Sequence, residues 1–415
     1  MDKQPNARSN PALQDAFPPG RDAALARLAG FLPRAGRAYA ARRNHDLPGH
    51  RDVSRLSPYI RHRVLTEEEV LRAAVKRHGP DAAAKFIDEV FWRTYWKGWL
   101  EMRPSVWSDY CRGLDRALDR VAAEAGLRRL WEAACEGRTG IDGFDSWAQE
   151  LTGTGYLHNH ARMWFASIWV FTLRLPWELG ADFFLRHLLD GDAASNTCSW
   201  RWVAGLHTPG KTYLARRENI SAFTAGRFSP AGLAREAPPP ASFVPASRVA
   251  LPAGDVLNPG PGQGLLLTEE DLSPGWLFDA GLSPVATATL AVTAARSPLA
   301  VAELVGEFTT AVISDTVARH ALHLGPVSQV FTTDDVVRWA IGERLSEVVL
   351  AHVPVGPVAD ATKGLATALT DHGIRLTRLV RPYDAAAWPH ATLGFFRFRD
   401  AIPELIRHCL EAEAD

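Results

Sequence analysis

Five polar residues, Asn159, Arg162, Asp190, Asp192 and Asn196, interrupt an otherwise apolar, tryptophan-rich run from Thr154 to Gly205. A polar group buried without a hydrogen bond costs several kcal/mol, roughly 2–7 on transfer scales, so each of these needs a partner. A polar ligand would supply them. Eleven of the fourteen tryptophans lie before residue 203 (Trp92, Trp96, Trp99, Trp107, Trp131, Trp147, Trp164, Trp169, Trp177, Trp200 and Trp202). Indoles so concentrated need either a large apolar interior or a flat, redox-active partner. Trp is commonly a core residue, and composition alone favours the interior; the polar punctuation moves the reading to a cofactor pocket. Asn159, Arg162 and Met163 fall at i, i+3 and i+4, so one helix face can meet both cofactor and substrate.

The segments LHNHARM (157–163), DGD (190–192), Asn196 and Trp200-Arg201-Trp202 together resemble the flavin-binding helical domain of the photolyase/cryptochrome superfamily. The spacing follows bacterial photolyases without a gap from Glu136 through Trp202. Ser54-Arg55-Leu56-Ser57-Pro58-Tyr59 is similar to the family's loop for the flavin pyrophosphate, with Val53 where the family has Thr. A hydroxyl-rich turn leading into a helix offers donors to phosphate. FIDEVFWRTYW (86–96) resembles a further family helix and puts Glu89, Trp92, Arg93 and Trp96 on one face. Tyr39, upstream of Arg43 and Asn44, completes the match, two residues out of step with the Ser54 loop.

The resemblance implies non-covalent FAD held by Tyr39, Ser54, Arg55, Leu56, Ser57, Arg93, Arg162, Asp190, Gly191, Asp192 and Asn196. It implies an Arg162–Asp190 pair, which a buried guanidinium demands in any case. Asn196 would lie near the flavin ring nitrogen whose protonation decides which redox state persists, although AASNTCSW also reads as a helix cap. Trp200 and Trp177 occupy the first two positions of the family's electron relay. The distal position is not recoverable, and Trp131, Trp147 or Trp164 could substitute. Glu89, Trp92, Asn159, His160, Met163 and Trp202 match positions that contact a pyrimidine dimer. His160 stands where the family has Arg, which removes a permanent phosphate contact. Such enzymes extrude the lesion and stack it on aromatic rings.

The net charge of −1 conceals a segregation, with 33 Lys+Arg against 26 Asp+Glu in residues 1–230 and 13 against 21 in the remainder. A basic half carrying the pocket suggests an anionic partner such as DNA, bound weakly and in a salt-sensitive way. Ordinary scatter of charge would give a similar pattern. No uncharged apolar run of eighteen residues and no charged leader is present, so neither a membrane span nor a secretory signal is expected and a cytoplasmic protein follows. Cys111, Cys135, Cys198 and Cys409 show no CxxC pairing and read as buried thiols, and no metal site is expected.

The expected architecture is multidomain. Residues 1–19 read as disordered, 20–228 as an all-helical FAD-binding domain, 229–264 as a Pro/Gly-rich linker and 265–415 as a small, mainly parallel, Rossmann-like α/β domain. In that last part, ATATLAVTAA (286–295), EVVLAHVP (347–354) and RLTRLVRP (375–382) read as strands, separated by helices over 301–308 and 357–369. It resembles a reduced form of the family's antenna domain, and PHATLGFFRFRDAIPEL is similar to that domain's exit segment. In the family the α/β domain precedes the flavin domain, whereas here it follows. Whether it carries an antenna chromophore stays open.

Two glycine strings are set aside. GLHTPGKT (205–212) matches a phosphate-binding loop as a string, but it follows a tryptophan-rich helix instead of a strand, and Pro209 lacks an N–H. Gly260-x-Gly262-x-Gly264 lies in the linker without dinucleotide-loop spacing. His158 and His160 lack metal-ligand spacing. The expectation is thus an FAD-dependent, blue-light-driven lyase for cyclobutane pyrimidine dimers, in which reduced flavin passes an electron to the lesion. The alternative is a cryptochrome-like photoreceptor that acts on a protein partner without repair. A flavin-bound structural protein is the third class.

Overall fold

The computed structural model describes residues 16–208, 210–240 and 246–411. Residues 1–15 of the expected disordered leader lie outside these. Residues 16–19 are packed: Phe17 is fully buried between the Arg27 and Arg55 guanidinium groups, and Tyr59 donates to the Pro18 carbonyl at 2.9 Å.

The helices that matter below are α1 (Arg37–Arg42), α2 (Ser57–Arg61), α3 (Glu67–Glu101), α4 (Ser105–Ala123), α5 (Asn159–Ser167), α6 (Trp177–His187) and α7 (Ala193–Val203). Thr66 starts α3 with a capping box: its hydroxyl accepts from the Glu69 N–H, and Glu69 accepts from the Thr66 N–H at 2.8 Å. Gly79, at φ 74°, followed by Pro80 breaks α3 into two runs, because Pro cannot supply an interior N–H. The second run carries Glu89, Trp92, Arg93, Trp96 and Lys97.

The α/β unit is a five-stranded, all-parallel sheet in the order β3-β2-β1-β4-β5, made of β1 (Gln263–Thr268), β2 (Ala286–Leu290), β3 (Val327–Val330), β4 (Glu347–Ala351) and β5 (Arg375–Leu379). Alternation along each strand sends Leu266, Ala288, Val348 and Leu350 to one apolar cluster, and Leu265, Val349 and Leu379 to the other. β1 and β3 lie outside the expected strands: β1 starts inside the glycine-rich segment, and β3 has a single buried residue and so little apolar signature.

The boundary between the units differs from the linear division. The helix α8 (Glu303–Arg319) places Leu304, Val305, Phe308, Val312 and Ile313 in the same core as the helical unit. The closing helices α9 (Pro382–Ala387), α10 (Phe395–Arg399) and α11 (Ile402–Glu411) do likewise, with Tyr383, Phe395, Phe398, Leu405 and Ile406 packed beside α3. Residues 382–411 are therefore structurally part of the helical unit, although the sequence order puts them after the sheet. No helix among the described residues is long and apolar enough to cross a membrane.

Candidate flavin-binding site

The DGD turn lies between α6 and α7. Asp192 is the N-cap of α7, its carboxylate accepting from the Ser195 N–H at 2.7 Å. Capping thus falls to Asp192, leaving Asn196 in the first turn for another task. Asn196 is buried and donates from Nδ2 to the Ala181 carbonyl at 2.8 Å, which ties α7 to α6. A Cβ on Gly191 would meet the Leu185 and Leu188 carbonyls at 3.0 Å, so a side chain there would crowd the backbone of the turn.

The Arg162–Asp190 pair forms as expected. Arg162 Nη2 donates to Asp190 Oδ2 at 2.9 Å, while Nε donates to the Leu157 carbonyl at 2.9 Å. Burial pushes the Asp190 carboxyl upward, but Arg162 and the Ser57 hydroxyl outweigh it, and its pKa ends below the ordinary value. Asp192 behaves alike: burial opposes ionisation, and Lys97, Arg93 and Arg61 hold it well below the usual carboxylate range. Arg93 lies 3.5 Å and Lys97 3.8 Å from Asp192 Oδ2.

Ser57, Arg93, Arg162, Asp190, Gly191, Asp192 and Asn196 therefore converge on one turn. Buried atoms there lack a hydrogen-bond partner, namely Arg93 Nη1, Asp190 Oδ1, Ser195 Oγ and Thr197 Oγ1. A polar ligand would satisfy such atoms, and carboxylates and cations beside buried indoles fit FAD. Of the remaining cofactor residues, Ser54 Oγ accepts from the Leu56 N–H, Leu56 is buried, and Arg55 sits at φ 55° with its guanidinium over Phe17 and Tyr156. Tyr39 is buried edge-on to Phe31 and Phe86.

The residues matched to substrate contacts are less uniform. Glu89 pairs with Arg43, and burial raises its carboxyl pKa despite that cation. Asn159 is exposed at the start of α5, and Met163 and Trp202 are half-buried. Trp202 stacks on Tyr213 at 5.8 Å. His160 is engaged inside the helical unit: its ring stacks on Trp164 at 4.2 Å and Nδ1 lies 2.9 Å from the Asn44 carbonyl. Trp92 has one face taken, because Phe395 stacks on it at 3.8 Å and 11°.

Trp200 is buried edge-on to Trp169 and Phe184 at 6.2 and 5.1 Å, seated on α6 at Gly180, where any side chain would collide with its ring. Trp177 is followed by Tyr110 at 5.8 Å, and Tyr110 by Trp107 at 5.2 Å. The Trp107 indole donates to Asp360 at 2.7 Å. Trp147 and Trp164 stack on each other beside His160 and bond to Asp46 and Asn219. The aromatic continuation from Trp177 thus runs through α4, which sequence reasoning missed; Tyr110 and Trp107 share one α4 face at i and i−3.

The architecture is thus a helical unit with charged, unsatisfied groups at one turn, joined to a parallel α/β sheet. Residues 86–236 match the family described as the FAD binding domain of DNA photolyase. A deoxyribodipyrimidine photo-lyase of Thermus thermophilus is 37% identical over 238 residues, which are 55% of this chain and 52% of that protein. The Streptomyces griseus photo-lyase is 35% identical over 166 residues, 39% of this chain and 35% of the relative. Among solved structures, a bacterial class III photolyase from Agrobacterium tumefaciens has 24% identity and a TM-score of 0.43, covering 54% of this chain and 46% of its own. The chain spans about half the length of the curated relatives it matches. The likeness to the FAD binding domain of DNA photolyase thus lies in the helical part of the chain.

Proposed function

We propose that this protein is a blue-light-driven, FAD-dependent lyase that reverses cyclobutane pyrimidine dimers in DNA. The observation that carries the reading is the convergence of Arg162, Asp190, Asp192, Arg93 and Asn196 on one turn with unsatisfied polar atoms, inside the segment that matches the photolyase FAD-binding domain. FAD, when bound, supplies the light absorption and the electron, and the protein supplies position and charge.

In this reading Arg162 and Asp190 orient each other and stay ionised, while Asp192 holds the α7 N-terminus. Asn196, which does not titrate, offers a side-chain carbonyl whose hydrogen-bonding sense is independent of pH. Glu89, paired with Arg43, shares its α3 face with Trp92 and offers the lesion an acidic side chain beside that ring. Trp92 and Trp202 offer ring faces for an extruded base. Trp200 and Trp177 are the oxidisable indoles at the relay positions, and Tyr110 and Trp107 continue the ring contacts from Trp177 toward Asp360.

The Trp92–Phe395 stack favours the second reading, a photoreceptor without repair activity, since a lesion on that face must displace Phe395. The experiment that separates the two is illumination of the chemically reduced, FAD-loaded protein with thymine-dimer DNA. Restoration of thymines supports repair, and intact dimers support the receptor.

A further inference from the structure

Three consecutive acids, Glu269, Glu270 and Asp271, follow β1 and are buried. They emerge at the carboxyl end of the sheet and enter the helical unit, where cations meet each of them. Arg61 grips Glu270 with two bonds, Nη1 to Oε2 at 2.8 Å and Nη2 to Oε1 at 2.7 Å, and its Nε donates to the Gly191 carbonyl at 2.7 Å. Lys97 Nζ stands 3.8 Å from both Glu270 Oε2 and Asp192 Oδ2. Glu269 pairs with Arg296, and Arg63 and Arg381 share Asp271. Part of the basic excess of the first half is thus matched internally by the acidic half.

We infer that Glu270 is a positioning residue for the flavin pocket, contributed by the α/β unit: through Arg61 and Lys97 it fixes the place and the charge of the DGD turn. The inference rests on assigning that turn to FAD. Arg61, Arg93 and Lys97 face Asp192, while Asp190 beside it is taken by Arg162; Glu270, which binds Arg61 through both oxygens and lies near Lys97, is the nearest negative charge that the α/β unit sets against them. Arg61 can reach the Gly191 carbonyl in its present pose because Glu270 anchors its other end. Without the Glu270 charge, Lys97 turns wholly to Asp192, which is the residue that caps α7. The α/β unit, whatever it binds, then acts on the flavin through two side chains and no moving part.

The test uses the full chain, with FAD titrated into apoprotein by fluorescence and the flavin reduction potential measured on the loaded protein. Binding by the unaltered protein tests the pocket assignment itself. Glu270→Gln is expected to raise the FAD Kd at least tenfold and shift the potential positive, because a negative charge is lost. Asp384→Asn breaks another seam pair, Arg63–Asp384 at 2.6 Å, and is expected to lower the melting temperature while leaving Kd within twofold and the potential unmoved. Should Glu270→Gln not fold, Glu270→Asp withdraws the charge by one methylene and is expected to raise Kd at least threefold. An unchanged Kd and potential in the Glu270 variant that folds, or equal Kd shifts for Glu270 and Asp384 variants, overturns the inference.

Discussion

Arg162 and Asp190, 28 positions apart in the chain, meet at 2.9 Å across the junction of α5 and the DGD turn. The arginine side chain is 23% exposed and the aspartate 4%, so the carboxylate bears most of the burial. Removing it leaves a guanidinium already committed to the Leu157 carbonyl and short of its charge partner.

Asp190→Ala is expected to cost about 3 kcal/mol, the lower end of the range for breaking a buried pair, because Arg162 keeps some solvent. FAD content should fall in parallel. Thermal melting and the 450 nm absorbance of purified protein check this; unchanged stability and flavin load would remove Asp190 from the pocket.

Acid should destabilise the protein in two stages. Burial lowers the pKa of His187 to about 4, with Arg186 adding to it, and lowers that of His207 to about 4. A group depressed in the fold contributes stability above its unfolded value, about 6.5 for His, and that contribution is lost as pH falls toward 4. Asp190 and Asp192 follow below about pH 4, their unfolded value. Melting temperature against pH should decline in the first window, and His187→Gln should flatten that decline. A level curve between pH 6.5 and 4.5 would refute the first stage.

Trp200→Phe and Trp177→Phe should each slow blue-light photoreduction at least tenfold while FAD stays bound, since Phe keeps the shape but is far harder to oxidise. Trp107→Phe should slow it as well, and Trp147→Phe should not, because Trp147 lies on the Trp164 side. Rates from timed illumination under a fixed lamp decide the path; equal rates in the Trp107 and Trp147 variants would remove α4 from it.

Trp92→Ala should weaken binding of dimer-containing single-stranded DNA by about 1–3 kcal/mol, the loss of one base–aromatic stack. Phe395→Leu keeps most of the volume but frees the ring face, and is expected to tighten binding several-fold. Fluorescence anisotropy measures both, and a receptor without a lesion site would show neither change.

The residues that meet at the DGD turn were partly legible because some of their signals are local. Asn159, Arg162 and Met163 mark a helix face, and the Ser54–Ser57 loop is a contiguous string. The Arg162–Asp190 pair followed from resemblance and from the cost of a lone buried guanidinium. The helical and α/β halves were legible from a change in periodicity near residue 264. What escaped was long-range. Glu270 meets Arg61 across 209 positions, and nothing near either residue announces the other. α10 returns to α3 for the same reason: its Phe395 has no sequence neighbour that predicts Trp92. Asn196 was ambiguous between cap and pocket, since Asp192, four residues earlier, satisfies the cap only when the turn geometry is known. Trp177 meets Tyr110 across α6 and α4, a contact that no spacing along the chain announces.

The most direct measurement of the central claim is dimer repair by the full chain. Protein loaded with FAD and chemically reduced, mixed with a thymine-dimer oligonucleotide in single-stranded form, should regenerate undamaged thymines under blue light and none in the dark, followed by recovery of the 260 nm absorbance. A fully reduced, FAD-replete sample that leaves the dimers intact after illumination would contradict the repair assignment.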